Sequence, residues 1–485
     1  MRPTTARASL LWMPLAVAAT AGLVWLGTGL HPWWPALWLA PLPVLFLAPQ
    51  TSGRVAAAAA LIAWLAGSLN VWAYYQGVLR MPVPVAAGIL LGGAGVFTLA
   101  VFLHRALLLR GAPWAAALTF PATWASCEYL ISLASPHGTA GSLAYTQVDL
   151  LPVLQLAALT GPTGLTFLVM LLPGALAAAL HVRAEAPDTA TRLVLTTASA
   201  IAAVLLFGAS RLAQPSGPTV RVALLASDGP LAEGVPPPGP ETTRLLADYA
   251  AQAATLAAHG AQVIVLPEKI GVTADPNTAD VDALFQPVAD RTGATVVVGL
   301  VHVSMTRRQN EARVYRPAAA PTLYAKQHLL PPFESRMEPG TALTLLAAAE
   351  PSRPWGVAIC KDLDFAAPAR PYGQSGAGLL LVPAWDFVAD RWLHGRMAVM
   401  RGVESGFAVA RSARQGLLTV SDDRGRILAQ RASDTAPFTT LVADVPAVHH
   451  ATLYLVLGSW FSWVALALLA AGAARLLRRQ RDEKG

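Results

Sequence analysis

Two cysteines in 485 residues exclude a disulfide framework. Cys127 lies in an apolar run and Cys360 in a polar half of the chain, so the two are not expected to pair, and Cys360 reads as a free thiol. Charge is scarce, at 13% Asp, Glu, Lys and Arg against 54% hydrophobic residues. A mean hydropathy of +0.48 excludes a wholly soluble chain of this length. The net charge of +7 comes without a basic stripe of interleaved aromatics, so no nucleic-acid partner is expected, and many of the Lys and Arg residues flank apolar runs. His302 and His394 stand alone without metal-ligand spacing, and neither a metal nor a cofactor is expected. There is no internal repeat.

What the chain has in abundance is apolar runs of bilayer length, about 20 residues of helix. They fall at 9–29, 33–49, 55–75, 83–103, 112–133, 151–180, 193–213 and 452–474. The first follows Arg2 and Arg7 like a secretory signal, but it has no small-residue cleavage site and further spans follow at once, so it reads as retained. The second contains Pro32-Trp-Trp-Pro35 and reads either as a span or as a re-entrant segment, with opposite consequences for topological parity. With eight spans, Arg2, Arg7, Arg54, Arg105, Arg110, Arg183, Arg192, Arg475, Arg478, Arg479, Arg481 and Lys484 share one side, leaving little but Arg80 and Arg211 on the other. The positive-inside rule then puts both termini in the cytoplasm and residues 214–451 outside it. In span four, Gly88 and Gly92 form a small-xxx-small pattern that predicts close helix packing.

The resulting division is a membrane domain over 1–213, a globular domain over 214–451, and a last span with a basic tail over 452–485. After the linker Gln214-Pro-Ser-Gly-Pro218, Thr219–Ala226 predicts a strand and residues 241–259 a helix ending at Gly260. Gln262–Leu266 predicts a buried strand, 278–291 a helix and 294–303 another strand, with short strands to Lys326. Beyond Cys360 come a strand at 378–383, a helix around 391–404 and strands near 407–411, 416–421, 426–430 and 437–443. This order implies an α/β domain with stacked sheets, an α-β-β-α sandwich.

Three strand ends carry chemistry: Leu266-Pro-Glu268, Tyr324-Ala-Lys326 and Ile359-Cys360. In α/β folds such ends converge where ligands bind. The order Glu268, Lys326, Cys360, with Glu334 eight residues beyond the lysine, resembles the nitrilase superfamily over about residues 219–445. In the apolar half, Phe120-Pro-Ala-Thr-Trp-Ala-Ser-Cys-Glu128, Gly141-Ser-Leu-Ala-Tyr-Thr-Gln147 and Thr160-Gly-Pro-Thr-Gly164 resemble the apolipoprotein N-acyltransferase family. That family holds a nitrilase-like domain outside the membrane between spans seven and eight. It departs from this chain in three places. Its members usually have an aromatic residue and glutamate after the cysteine, where this chain has Lys361-Asp362. They have Asn-Asp before a later tryptophan, where this chain has Pro383-Ala384-Trp385. They have a glutamine on the first strand, where this chain has Ala226-Ser-Asp228.

A thiol with an ordinary pKa near 8.5 needs a base and a nearby cation to attack an ester. Glu268 fits as general base, and Lys326 with the backbone N–H of Lys361 as oxyanion donors. The resemblance makes Glu334 the residue that positions Lys326. Asp362 and Lys361 read as holding the cysteine turn, either as an ion pair or in the chemistry. Phe333 and Trp385 read as lining an acyl chamber or lid, or as core. Tyr145 and Gln147, on an outward loop, read as touching a lipid headgroup or packing against the globular domain. Arg401 and Glu404, three apart on a helix, read as a surface pair. The resemblance implies two half-reactions at the cytoplasmic membrane, multi-pass and with the catalytic domain extracytoplasmic. A phospholipid ester acylates Cys360, and the acyl group passes to the α-amino group of an S-diacylglyceryl cysteine on an apolipoprotein. A membrane-anchored amidase using the same triad, an N-acyltransferase with a different amine acceptor, and a non-catalytic transporter or lipid-binding scaffold are the rival readings.

Overall fold

In the computed structural model, residues 3–348 and 353–482 are described; Arg2 and Lys484 lie outside them. The chain divides into two compact units, one of residues 1–134, 141–210 and 457–485, the other of 135–140 and 211–456.

The first unit is helical. Its long helices are α1 (Pro3–Gly27), α2 (Gly53–Ser68), α3 (Val83–Leu109), α4 (Pro113–Ala134), α5 (Pro162–Val182), α6 (Pro187–Leu212) and the C-terminal helix Trp460–Asp482. Among the described residues, five segments are long and apolar enough to cross a membrane: 53–71, 83–109, 162–182, 187–212 and 460–478.

Residues 33–49 form no such helix. They break into Trp34–Leu37, Leu42–Leu47 and a 3₁₀ turn, because Pro35, Pro41, Pro43 and Pro49 each remove a backbone donor. Ala36, Leu37, Ala40, Val44 and Leu45 are buried, so the irregular backbone is shielded by protein. The broken segment still returns the chain. Ala21 and Val24 of α1 abut Gly67 near the end of α2, while Met13 and Ala16 pack with Ala59 and Leu47. The helices α1 and α2 therefore run parallel, and residues 28–52 must lead back to the starting end. The predicted run 151–180 is likewise interrupted, with short helices Leu151–Leu154 and Ala157–Thr160 ahead of Gly161 at φ +67°.

Arginines gather at one end of this unit. Arg105 donates to the carbonyls of Ala48 and Thr51, and Arg110 to that of Leu476. At the other end two of the three family-like segments, 120–128 and 141–147, meet on Glu128, which accepts from Trp124 Nε1, Ser142 Oγ, Leu143 N and, two residues beyond the third segment, Thr166 Oγ1 at 2.7 to 2.9 Å. Two expectations fail here. Tyr145 and Gln147 do not face outward but are buried in a 3₁₀ turn, with Gln147 Oε1 accepting from Trp38 Nε1 at 2.8 Å. Gly88 and Gly92 face open space rather than a packed neighbour.

The second unit holds two mixed sheets. The first is built from β1 (Thr219–Ala226), β2 (Val263–Val265), β3 (Val272–Ala274), β4 (Thr295–Val303), β5 (Arg308–Tyr315), β6 (Thr322–Ala325) and the last strand Thr439–Pro446. Its spatial order is last strand, β1, β2, β4, β5, β6, with β3 beside β4. The second sheet has β7 (Leu345–Leu346), β8 (Trp355–Val357), β9 (Leu379–Trp385), β10 (Ala408–Arg414), β11 (Leu417–Ser421) and β12 (Ile427–Ala432), in the order β12-β11-β10-β9-β8-β7.

Period-2 alternation sorts the side chains into layers. Val222, Leu224, Val263, Val265, Leu379, Leu381, Ala408 and Ala410 form one core between the sheets. Ala223, Leu225, Ile264 and Val296 point the other way, onto α7 (Pro240–Ala258) and α8 (Thr278–Thr292). Leu380, Val382 and Val409 pack outward with Tyr372 of α9 (Ala369–Gln374) and Ala398 of α10 (Arg391–Ser405). The layers are α-β-β-α, as expected from the order of elements.

Candidate active site

The ends of β2, β6 and β8 converge, and each delivers the side chain expected of it. Glu268 follows β2, and its backbone N–H donates to Ala384 O of β9 at 3.2 Å, so this strand end is tied to the opposite sheet. Gly299 lies against the backbone of Pro267 and Glu268, where any Cβ would collide. Lys326 follows β6, anchored by N–H donation to Asn310 O and by accepting from Gly340 N, each at 2.8 Å.

These side chains form a sealed ionic cluster. Lys326 Nζ, 1% exposed, lies 2.8 Å from Glu268 Oε1 and 3.0 Å from Glu334 Oε2. Asn310 Nδ2 donates to both carboxylates, at 2.5 and 2.7 Å, and Leu330 N donates to Glu334 Oε2. A second ammonium, from Lys269, reaches Glu334 Oε1 at 2.7 Å and Glu268 Oε1 at 3.5 Å. Burial works to raise the Glu268 carboxyl, yet Lys326 and Lys269 outweigh it and hold it below the usual carboxylate range. Burial likewise disfavours the charged form of Lys326, but the two carboxylates keep it protonated well above its ordinary range.

Cys360 begins a 3₁₀ turn, Cys360–Asp364, at φ +44°, a left-handed conformation costly for a residue with a Cβ. Lys269, also directly after a strand end, is at φ +54°. Cys360 Sγ donates to Trp385 O at 3.4 Å. Burial, and then the charge of Glu268, push the thiol up, while Lys326 and Arg411 pull the other way, so the resting sulfur is a neutral thiol facing an ionised carboxylate.

Asp362 binds the turn to the lysine strand. One carboxylate oxygen accepts from Tyr324 Oη (2.7 Å) and Ile359 N (3.0 Å), the other from Gln327 N (3.0 Å) and His328 N (2.8 Å). Lys361 does not pair with it. Its Nζ reaches Asp364 Oδ2 at 3.4 Å and His137 Nδ1 at 3.1 Å instead, because adjacent residues on the tight turn point apart.

Two further expectations need correction, and of the two readings of Phe333 the core one falls away. Arg401 and Glu404 are a buried pair at 2.7 Å, since α10 presents that face to the second sheet and the cysteine turn. His394 is not isolated but lies 3.2 Å from Asp390 and 3.8 Å from Asp364, and His302 lies 3.2 Å from Asp275. Phe333 is no core residue. It is 55% exposed and touches Phe387 at 5.8 Å between centroids. Trp385 lies within 3.6 Å of the Arg414 guanidinium and 5.1 Å of Lys269 Nζ, measured to its ring.

Lys269, Asn310, Arg414 and the buried Arg411–Asp386 pair escaped the sequence reading. Lys269 alone left a signal, a lysine directly after the Pro-Glu strand end. Arg411 stands on β10 and Asp386 directly after the end of the neighbouring β9, 25 residues apart, and no local pattern marks them.

Two sheets stacked back to back between helices, with Glu268, Lys326 and Cys360 at their ends, make the second unit an α-β-β-α sandwich. It is carried on a chain with several long apolar helices. Residues 10–175 match the family model of the apolipoprotein N-acyltransferase N-terminal domain. The chain is similar to the apolipoprotein N-acyltransferase of Shewanella oneidensis, 25% identical over 414 residues, 76% of this chain and 75% of that one. It is also similar to that of Geobacter metallireducens, 24% identical over 489 residues and 92% of each. Among solved structures, an amidase of the nitrilase superfamily from Nesterenkonia AN1 aligns with a TM-score of 0.39 at 23% identity, covering 48% of this chain and 92% of that one.

Proposed function

We propose that the chain is a membrane N-acyltransferase of lipoprotein maturation, moving an acyl chain from a phospholipid through a Cys360 thioester to the α-amino group of an S-diacylglyceryl cysteine. The observation that carries the reading is the Glu268–Lys326–Glu334 cluster, buried beside a thiol on an apolar-helix chain. Names of the relatives supply the acceptor. The domain reading of 1–213, 214–451 and 452–485 is supported by compact units that divide at residues 210 and 456. We place the arginine-rich end in the cytoplasm of a bacterial inner membrane and the α/β domain outside it.

Cys360 Sγ attacks the ester carbonyl as its proton passes to Glu268, the general base. The thiol is held neutral, so proton loss accompanies attack rather than preceding it. The tetrahedral oxyanion accepts from Lys326 Nζ and Lys361 N–H. The C–O bond to glycerol then breaks, the glycerol oxygen takes the proton from Glu268, and a lysophospholipid leaves. In the second half-reaction the amine attacks the thioester carbonyl, Glu268 receives its proton, and the C–S bond breaks as the sulfur is reprotonated. Glu334 holds Lys326 and Lys269. The exposed Phe333 and the cation-flanked Trp385 edge the acyl site.

The test is to incubate the full chain with a phospholipid labelled in its acyl chain. A hydroxylamine-sensitive label on the protein that disappears in Cys360→Ala is expected. No adduct with any phospholipid would refute the thioester. With a diacylated lipopeptide added, N-acyl peptide is expected; free fatty acid alone would favour the hydrolase.

A further inference from the structure

The segment Ser135–Ala140 follows α4 in the chain but groups with the α/β unit. It grips the cysteine turn at several points. Thr139 donates to Asp364 O twice, from its N–H at 2.9 Å and from Oγ1 at 2.7 Å, and its Oγ1 accepts from Arg401 Nη2 at 3.0 Å. Gly138, at φ +52°, lies so close to Asp364 O and the Phe365 ring that a Cβ would collide with both. His137 Nδ1 lies 3.1 Å from Lys361 Nζ.

The last contact has a defined chemistry. An ammonium has only donors, so His137 must present a lone pair at Nδ1 and carry its proton on Nε2. Burial, and then the Lys361 charge, hold the ring below its ordinary pKa, which keeps it in that neutral form; Asp364 acts the other way and His394 the same way. Lys361 is 3% exposed, and its Nζ also reaches Asp364 and sits 5.5 Å over the Phe365 ring. A long, flexible side chain held at three places leaves its own backbone little freedom.

We propose that His137 and Thr139 are positioning residues that latch Lys361 and Asp364, so that the Lys361 N–H stays aimed at the acyl oxygen on Cys360. The latch rests on the assignment of that N–H as an oxyanion donor under the proposed function. It gives Lys361 a task that the neighbouring Asp362, committed to the lysine strand, does not share.

The test uses the full chain in detergent micelles with a long-chain p-nitrophenyl ester, whose burst of p-nitrophenol reports acylation of Cys360. His137→Leu and Lys361→Met are each expected to slow the burst about 10-fold with KM nearly unchanged, and the double variant is expected to be no slower than either single. His137→Asn, whose amide oxygen can accept from Lys361, is expected to recover most of the rate. Independent losses that multiply in the double variant, a loss carried by KM, or a native burst in His137→Leu would overturn the latch. Amide hydrogen exchange of residues 359–366 decides the matter even without a burst. Faster exchange in His137→Leu but not in His137→Asn supports the latch, and unchanged exchange overturns it. Absence of a burst in the native chain would count against the thioester reading alone.

Discussion

The ammonium of Lys269 lies 2.7 Å from Glu334 Oε1, so the carboxylate 3.0 Å from Lys326 Nζ is shared between two lysines. Lys269 also helps to hold the Glu268 carboxyl down. Replacing it with methionine should raise that carboxyl and move the acid limb of the burst pH profile upward by about one unit, while Lys269→Arg should move it less. Both Glu268 and Glu334 are depressed, so their contribution to stability is present above the ordinary carboxylate pKa, near 4, and is lost as pH falls through the folded values. Acid unfolding of Lys269→Met should therefore begin at higher pH. An unmoved limb and an unmoved acid transition would remove Lys269 from the cluster.

Asp362 is fully buried and accepts from backbone and side-chain donors on both sides of the site. Asp362→Asn turns one acceptor into a donor facing an N–H or a hydroxyl. A loss of about 2–4 kcal/mol is expected from thermal or denaturant unfolding, against about 1 kcal/mol for Tyr324→Phe, which removes a single bond. A near-neutral Asp362→Asn would show that the turn is held elsewhere.

Glu404 is sealed beside Arg401, and burial outweighs that partner to push its carboxyl up to about 7. A carboxyl raised on folding contributes stability while protonated, and that contribution is lost as pH rises from about 4 through 7. Melting temperature followed from pH 4.5 to 7.5 should fall over this window, and Glu404→Gln should flatten the decline. An equal slope in the variant would assign it to another group.

His394 moves in the opposite sense to most buried histidines. Burial lowers it, but Asp390, Asp364 and Asp386 together raise it to about 9. Its contribution is therefore complete below its ordinary pKa, near 6.5, and is lost as pH rises through 9. His394→Gln should lower stability at pH 6 more than at pH 9.5. A loss independent of pH would show that packing, rather than charge, is what His394 supplies.

The order of strands and helices was legible because each layer of the sandwich demands its own periodicity. Thr219–Ala226 and the helix at 391–405 read almost to the residue, since the spacing of apolar residues along a strand or a helix is a local pattern. The segment 33–49 read as one run because hydropathy counts side chains, whereas its prolines break the backbone that would make it a helix. Arg401 and Glu404 carried the spacing of a surface pair, but spacing on a helix does not say which face another element covers.

Glu268, Lys326 and Cys360 could be found in the chain because each ends an apolar strand, and strand ends are where backbone order stops and side chains meet. Their order and residue types were set by the sequence alone, as was the abundance of apolar runs. Tertiary structure decided what surrounds them. Only the folded sheets bring Lys269 beside Glu334, Arg411 beside Asp386 and His137 beside Lys361. Those pairs join residues 65, 25 and 224 positions apart, beyond the reach of any local pattern.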